Sequence, residues 1–220
     1  MIAVIGNGLV GKRLQDIVKP DAVFTSANIH HLKHRKCTTI YCAAPTGNRI
    51  TANANPEQDR NSVDTLIRAC SISKFTRFVL ISTGDTQVKL DSVYGKNRLK
   101  LEAWAKQLPN SAVIRLPSLI HATITKNILY DIKHGTWLDK INPNNQLQWF
   151  DLDCLGDWIY TEEKEFNVCS EPILAKDIID EFAPAVLSKL DHTQTGDQYD
   201  LQPYSYTKEQ IFSSIRAYLT

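Results

Sequence analysis

A surplus of one charge and a long apolar run are both missing from this 220-residue chain. Lys and Arg number 25 against 24 Asp and Glu, a net charge of +1. That balance lacks the footprint of a protein built to grip nucleic acid or anionic lipid. No stretch approaches the roughly 18 consecutive apolar residues that span a bilayer, so no membrane partner is expected. The N-terminal MIAVIGNG has no charged segment and reaches glycine too early for a signal peptide. Cysteines number five, an odd count, and form no CxxC pair, which points to reduced thiols and a cytoplasmic setting. Cys37, Cys42, Cys70, Cys154 and Cys169 read as small core or semi-buried residues rather than nucleophiles. Several catalytic signatures are absent too: GxSxG, HExxH and the Walker GK[ST]. His30 and His34 stand four apart, but no third ligand accompanies them and no metal is expected. There is no internal repeat and no low-complexity segment.

What remains is a globular composition, 43% hydrophobic and 22% charged, which excludes whole-chain disorder. The length suits one large domain, or one domain with a smaller lobe, and a core that needs neither disulfides nor metal. Two periods alternate through the first half. Short apolar, β-branched runs at Met1–Ile5, Ala22–Thr25, Thr38–Cys42, Arg77–Ile81 and Ala112–Leu116 predict strands. Helical spacing predicts helices over Leu9–Val18, Asn61–Cys70 and Tyr94–Leu108. Strands of this kind separated by helices predict a Rossmann-like, doubly wound parallel sheet of the α/β class. The dinucleotide-binding part is expected over residues 1–116. Residues 117–220 are expected to form a small C-terminal substrate lobe with elements returning to the sheet. There, Ala122–His134, Ala175–Phe182 and Lys208–Leu219 predict helices, Gln148–Leu152 and Glu165–Cys169 strands, and Asn142–Gln146 a turn.

Gly6-Asn7-Gly8-Leu9-Val10-Gly11 is a GxGxxG run between the first strand and the first helix. Glycines there permit the tight turn, the close approach of a pyrophosphate and tight helix–strand packing. A lone GxGxxG is weak evidence; this position, opening a βαβ unit, makes it informative. Roughly 20 residues on, an acid would bind the ribose 2′-hydroxyl of NAD. The segment Phe24-Thr25-Ser26-Ala27-Asn28 offers no carboxylate there, and His30, His31, Lys33, His34, Arg35 and Lys36 follow. A missing acid beside basic residues suits a 2′-phosphate. NADP is therefore favoured over NAD, with Ser26 and Asn28 at that end of the site and NAD kept open.

Further stretches follow in order: Cys42-Ala43-Ala44-Pro45, Asn61-Ser62-Val63-Asp64-Thr65-Leu66, Ile81-Ser82-Thr83 and Tyr94-Gly95-Lys96-Asn97-Arg98-Leu99-Lys100-Leu101-Glu102. Trp149-Phe150-Asp151-Leu152-Asp153 and Phe166-Asn167-Val168-Cys169-Ser170-Glu171-Pro172 complete the series. With the glycine run, these resemble the extended short-chain dehydrogenase/reductase family, the NAD(P)-dependent epimerase/dehydratase group. The resemblance implies that Tyr94 is the general acid/base and that Thr83, or Ser82 beside it, hydrogen-bonds the same substrate oxygen. It implies that Ala43, Ala44, Pro45 and Pro117 line the cofactor path with the glycine run. Thr46, Asp85 and His121 fall on the substrate side.

A free phenol with a pKa near 10 is a poor base at neutral pH, so a nearby cation must favour the phenolate. In the family a lysine four residues after the tyrosine does this and also holds the nicotinamide ribose. Here that position is Arg98, and Lys96 lies on another helix face. Two expectations follow. One is an NAD(P)-dependent oxidoreductase or epimerase-like enzyme acting on a carbonyl or hydroxyl carbon, with a nucleotide sugar as candidate substrate. The other is a non-catalytic or specialised NADP(H)-binding module. The chain is shorter than family members with a full sugar-nucleotide lobe, which fits a smaller substrate or one bound partly by a second subunit. The resemblance implies a homodimer through the helices at Asn61–Cys70 and Tyr94–Leu108.

Overall fold

The computed structural model describes residues 1–188 and 190–220. The first half runs β1 (Ile2–Ile5), α1 (Leu9–Val18), β2 (Ala22–Phe24), β3 (Lys36–Cys42), α2 (Arg49–Ala54), α3 (Pro56–Ser71), β4 (Lys74–Thr83), α4 (Asp85–Val88), α5 (Val93–Ala105) and β5 (Ser111–Leu116). The second half runs β6 (Ser118–Ile120), α6 (Ile128–His134), β7 (Gln146–Leu147), β8 (Trp149–Asp151), β9 (Glu165–Asn167), β10 (Ile173–Leu174), α7 (Ala175–Phe182), α8 (Pro184–Leu187) and α9 (Lys208–Leu219).

Six strands form the main sheet in the order β2-β1-β3-β4-β5-β9, and the β1–β2, β1–β3 and β3–β4 pairs are parallel. Side chains alternate across a strand. Ala3, Ile5, Ile40, Cys42, Phe78, Leu80 and Val113 share a buried cluster with Val63, Leu66 and Cys70 of α3 and Leu101 of α5. Their strand neighbours Val4, Tyr41, Val79 and Ile114 are buried as well. Burial of both faces is what made these strands read as continuous apolar runs. The fold is the doubly wound α/β arrangement expected from the sequence.

The strand order is the usual dinucleotide-binding order with the outermost strand on the β2 side missing. Between β2 and β3 the chain instead makes one 3-10 segment, Ile29–His34, anchored by buried Ile29 and Leu32. The basic residues expected near a 2′-phosphate sit on this segment and just after it, all exposed.

Contact density divides the chain into two units, one of 1–115 with 153–166, the other of 116–152 with 167–220. The second unit contains the parallel pair β6–β8 and the antiparallel pair β7–β10. Its expected helix at Ala122–His134 is shorter than predicted. Asn127 takes a φ of 122° and caps the first turn, its Oδ1 accepting from Tyr130 N at 3.1 Å, so the helix starts at Ile128. The expected strand at Gln148–Leu152 is β8, Trp149–Asp151, and Gln148 lies between it and the preceding β7. The side chain of Gln148 is buried and bonded to Ser170 O and Leu201 O. No helix among the described residues is long and apolar enough to cross a membrane.

Candidate functional site

The sheet order reverses between β1 and β3, and ligands of such sheets bind at that crevice, beyond the strands' carboxyl ends. Both ends carry predicted site residues. Gly6 follows β1 with a φ of +114°, and a Cβ there would lie 2.7 Å from the Ala43 carbonyl oxygen after β3. A Cβ on Gly11 would lie 2.3 Å from the Gly6 carbonyl oxygen, so only glycine lets α1 pack this close. Gly8 differs: its φ is an ordinary −78° and nothing lies within 4 Å of an added Cβ.

Gly8 is the N-cap of α1, with no side-chain cap and no acidic residue in the first turn. The first N–H groups of Leu9 and Val10 are thus open to an anion, as a helix N-terminus favours. Asn7 Oδ1 accepts from Gln15 Nε2 at 3.3 Å, tying the turn to the helix. Steric need at Gly6 and Gly11 with clear space at Gly8 is the pattern a pyrophosphate requires, and a dinucleotide fits these residues.

At the β2 end, Asn28 is committed to its own turn. Its Oδ1 accepts from Thr25 N at 2.6 Å and its Nδ2 donates to Val23 O at 3.2 Å. Ser26 is exposed, and no carboxylate stands among residues 24–28. After β3, the Ala44–Pro45 peptide is cis, and the loop continues through Thr46 and Gly47. A Cβ on Gly47 would lie 3.9 Å from the Tyr94 hydroxyl, so this loop runs beside the phenol.

Ser92 opens α5, its side chain accepting from Gly95 N. Tyr94 is 7% exposed, and its backbone N–H donates to Asn53 Oδ1 of α2 at 3.0 Å. Arg98, one turn on, stacks its guanidinium 4.4 Å from the Tyr94 ring centroid. The same guanidinium forms a two-point pair with buried Asp59 of α3, at 3.0 and 2.8 Å, and donates to Thr46 O at 2.7 Å. Asn97 donates to Asp59 as well, at 2.8 Å. Lys96 is exposed, as its place on another helix face predicted.

Burial pushes the Tyr94 phenol above its ordinary value. The Arg98 charge pulls it down, the Asp85 carboxylate pushes it up, and hydrogen bonds with Thr83 and Arg98 pull it down again; burial wins. Asp85 is itself buried and pairs with Arg49 at 3.2 Å. Thr83 Oγ1 accepts from Asp85 N at 3.3 Å, which leaves its proton for the phenol oxygen.

The structure therefore brings Thr83, Tyr94, Arg98, Asp85 and the Thr46 backbone together. Ser82 is elsewhere: its hydroxyl donates to Glu102 Oε1 at 2.6 Å. Glu102, fully buried, also accepts from Thr86 at 2.9 Å and from Arg115 Nη2 at 2.6 Å. Pro117 and His121 belong to the second unit, where His121 Nδ1 lies 2.9 Å from Thr123 Oγ1. Asp59 was missed by sequence reasoning. The available signal was Pro56 at a helix N1 position, which starts α3 five residues before Asn61 and puts Asp59 one turn before Val63. Burial pushes the Cys42 thiol up to about 12, the mark of an inert core cysteine.

No protein-family model matches the chain, and no curated protein matches it in sequence. Solved structures do resemble it. The UDP-glucose 4-epimerase of Thermus thermophilus, in complex with NAD, superposes with a TM-score of 0.67 at 11% identity, over 92% of this chain and 91% of that one. An NAD-dependent NDP-hexosamine 5,6-dehydratase of tunicamycin biosynthesis gives 0.67 at 12% identity, over 97% and 90%. The UDP-glucose 4-epimerase of Thermotoga maritima, with UDP-glucose, gives 0.65 at 10%, over 94% and 86%. At such identities the likeness is one of fold. The chain has the fold of these epimerases and of the NAD-dependent dehydratase, in keeping with the resemblance read from its motifs.

Proposed function

We propose that this chain is an NADP(H)-dependent oxidoreductase of the short-chain dehydrogenase/reductase type, acting on a carbonyl or hydroxyl carbon of a small molecule. The observation that carries the reading is the pairing of an open glycine cradle with a buried Tyr94 held among Thr83, Asp85 and Arg98. Gly6, Gly8 and Gly11 with the α1 N-terminus would hold the pyrophosphate, and Ala43, Ala44 and Pro45 the path toward the nicotinamide. Ser26 and the exposed bases after Asn28 would meet a 2′-phosphate. When bound, the nicotinamide supplies or accepts a hydride at the substrate carbon. Tyr94 moves the proton at the substrate oxygen while Thr83 orients that oxygen. The structurally similar epimerases and dehydratase act on nucleotide sugars by their names, so a nucleotide sugar is the first substrate class to try. A cytoplasmic homodimer through the outer faces of α3 and α5, where Leu99 is exposed, belongs to this reading.

One observation favours a second reading, an NADP(H)-binding module without turnover. The cation that the resemblance assigns to the nicotinamide ribose is bound to Asp59 and Thr46 instead. A calorimetric comparison of NADPH and NADH, followed by turnover on a panel of ketones, aldehydes and keto-sugar nucleotides, separates the readings. The enzyme reading expects NADPH to bind at least about tenfold tighter than NADH, a difference of about 1.4 kcal/mol, and to be consumed with at least one carbonyl. Tight binding with no consumption on any of them favours the module. Tighter binding of NADH overturns the cofactor assignment.

A further inference from the structure

Resting on the oxidoreductase reading, the geometry points to Asp59 as a positioning residue. It holds the Arg98 guanidinium over the Tyr94 ring and absorbs its charge, so that the site runs carbonyl reduction with Tyr94 as proton donor.

Charges of both signs surround the phenol. From α5 comes Arg98, and from α3 comes Asp59, gripping Arg98 through two hydrogen bonds. From α4 comes Asp85, and from α2 comes Arg49, paired with Asp85. Asn53 of α2 and Thr83 at the end of β4 are neutral. Each cation is held by one carboxylate. The Arg98 and Asp59 side chains are 5% and 4% exposed, so solvent screens the pair little. A guanidinium whose charge is matched at 2.8 Å offers the neighbouring phenolate much less than a lone cation does.

At neutral pH the resulting site rests in the protonation state from which reduction starts. In reduction the substrate carbon gains a hydride, two electrons and a proton nucleus, from the reduced dinucleotide. The substrate oxygen takes the Tyr94 O–H proton, and solvent then returns a proton to Tyr94. The carbonyl becomes an alcohol and the dinucleotide is oxidised. This direction starts from the neutral phenol that burial already favours. Alcohol oxidation starts from the phenolate, which this charge arrangement withholds. Arg98 remains useful as the group that fixes the ring, stacked on it and tied to Thr46.

The test reads the Tyr94 phenol directly, by NMR of ring-labelled tyrosine across alkaline pH without cofactor, with Tyr94→Phe assigning the signal. The wild-type midpoint is expected above the ordinary phenol value. In Asp59→Asn, which keeps an oxygen facing Arg98 and removes the charge, the midpoint should fall by about one unit or more. The alkaline limb of the pH profile of kcat/KM for reduction, where the proton donor is lost, should move down in pH with it. A midpoint that stays or rises in this variant overturns the inference, since loss of mere structural support would release Arg98 and leave the phenol harder to ionise.

Should Asp59→Asn fail to fold, the double variant Asp59→Leu/Arg98→Met decides, because removing a buried pair together is often tolerated. Its midpoint should rise by less than about one unit; a larger rise would show Arg98 acting as an uncompensated cation. No turnover on any carbonyl, with the midpoints behaving as stated, sinks the oxidoreductase reading and leaves the Asp59 effect standing. Turnover with the wrong midpoints sinks the inference alone.

Discussion

Replacing Tyr94 by Phe is expected to lower carbonyl reduction by roughly 10²–10⁴ in kcat, the usual contribution of a positioned proton donor. The ring keeps its place, because Arg98 stacks on its face and α5 is capped independently by Ser92. Only the hydroxyl beside Gly47 and Thr83 is lost. Dinucleotide affinity, set at the glycine cradle, is expected to change little. Steady-state kinetics and calorimetry on the same preparation check both halves. Turnover within a few-fold of wild type contradicts the role given to Tyr94, whatever the affinity does.

The largest expected loss of stability comes from a residue outside the proposed chemistry. Glu102 has no exposure and accepts from Ser82, Thr86 and Arg115, and Arg115 reaches Glu165 at 2.8 Å. Glu102→Ala leaves the Arg115 charge buried with only a half-exposed partner and strips two hydroxyls of their acceptor. Breaking such a pair from one side costs roughly 3–5 kcal/mol. For a chain of this size that corresponds to a fall in Tm of about 6–20 °C. Thermal unfolding by circular dichroism is the measurement, and a fall under about 2 °C would show that the cluster contributes little. The same geometry explains why Ser82 and Thr83 are not interchangeable: neighbours on a strand point to opposite faces, and Glu102 claims one of them.

The strands and α1 were legible because their burial is apolar. Residues 3–5, 40–42, 78–81 and 112–116 are buried, all apolar but Arg115, and α1 spans Leu9–Val18 as read from its apolar spacing. The glycine run was legible because its spacing carries a steric requirement that the structure shows at Gly6 and Gly11. What escaped was burial of charge. The inward face of α5 carries Tyr94, Asn97, Arg98 and Glu102 beside Leu101 and Ala105, so its apolar stripe is faint. The first buried residue of α3 is Asp59, in the polar run Pro56–Asn61, and an apolar search starts that helix too late. Asp59 meets Arg98 from 39 residues away, a pairing that no local pattern encodes. A clue lay in the arginine itself: a guanidinium placed where a tyrosine must be buried requires a carboxylate nearby.

Whether the turn between β1 and α1 holds a dinucleotide can be tested at Gly8 without disturbing the fold. Its backbone is one that any residue adopts and nothing lies within 4 Å of an added Cβ. Calorimetric titration of NADPH into wild type and Gly8→Val is therefore the decisive measurement. The expected result is binding to the wild type, at least about tenfold weaker binding to the variant, and a Tm in the free variant within about 2 °C of wild type. No binding of NADPH or NADH to the wild type, or equal affinity in the two proteins, would contradict the assignment of this turn as the pyrophosphate site.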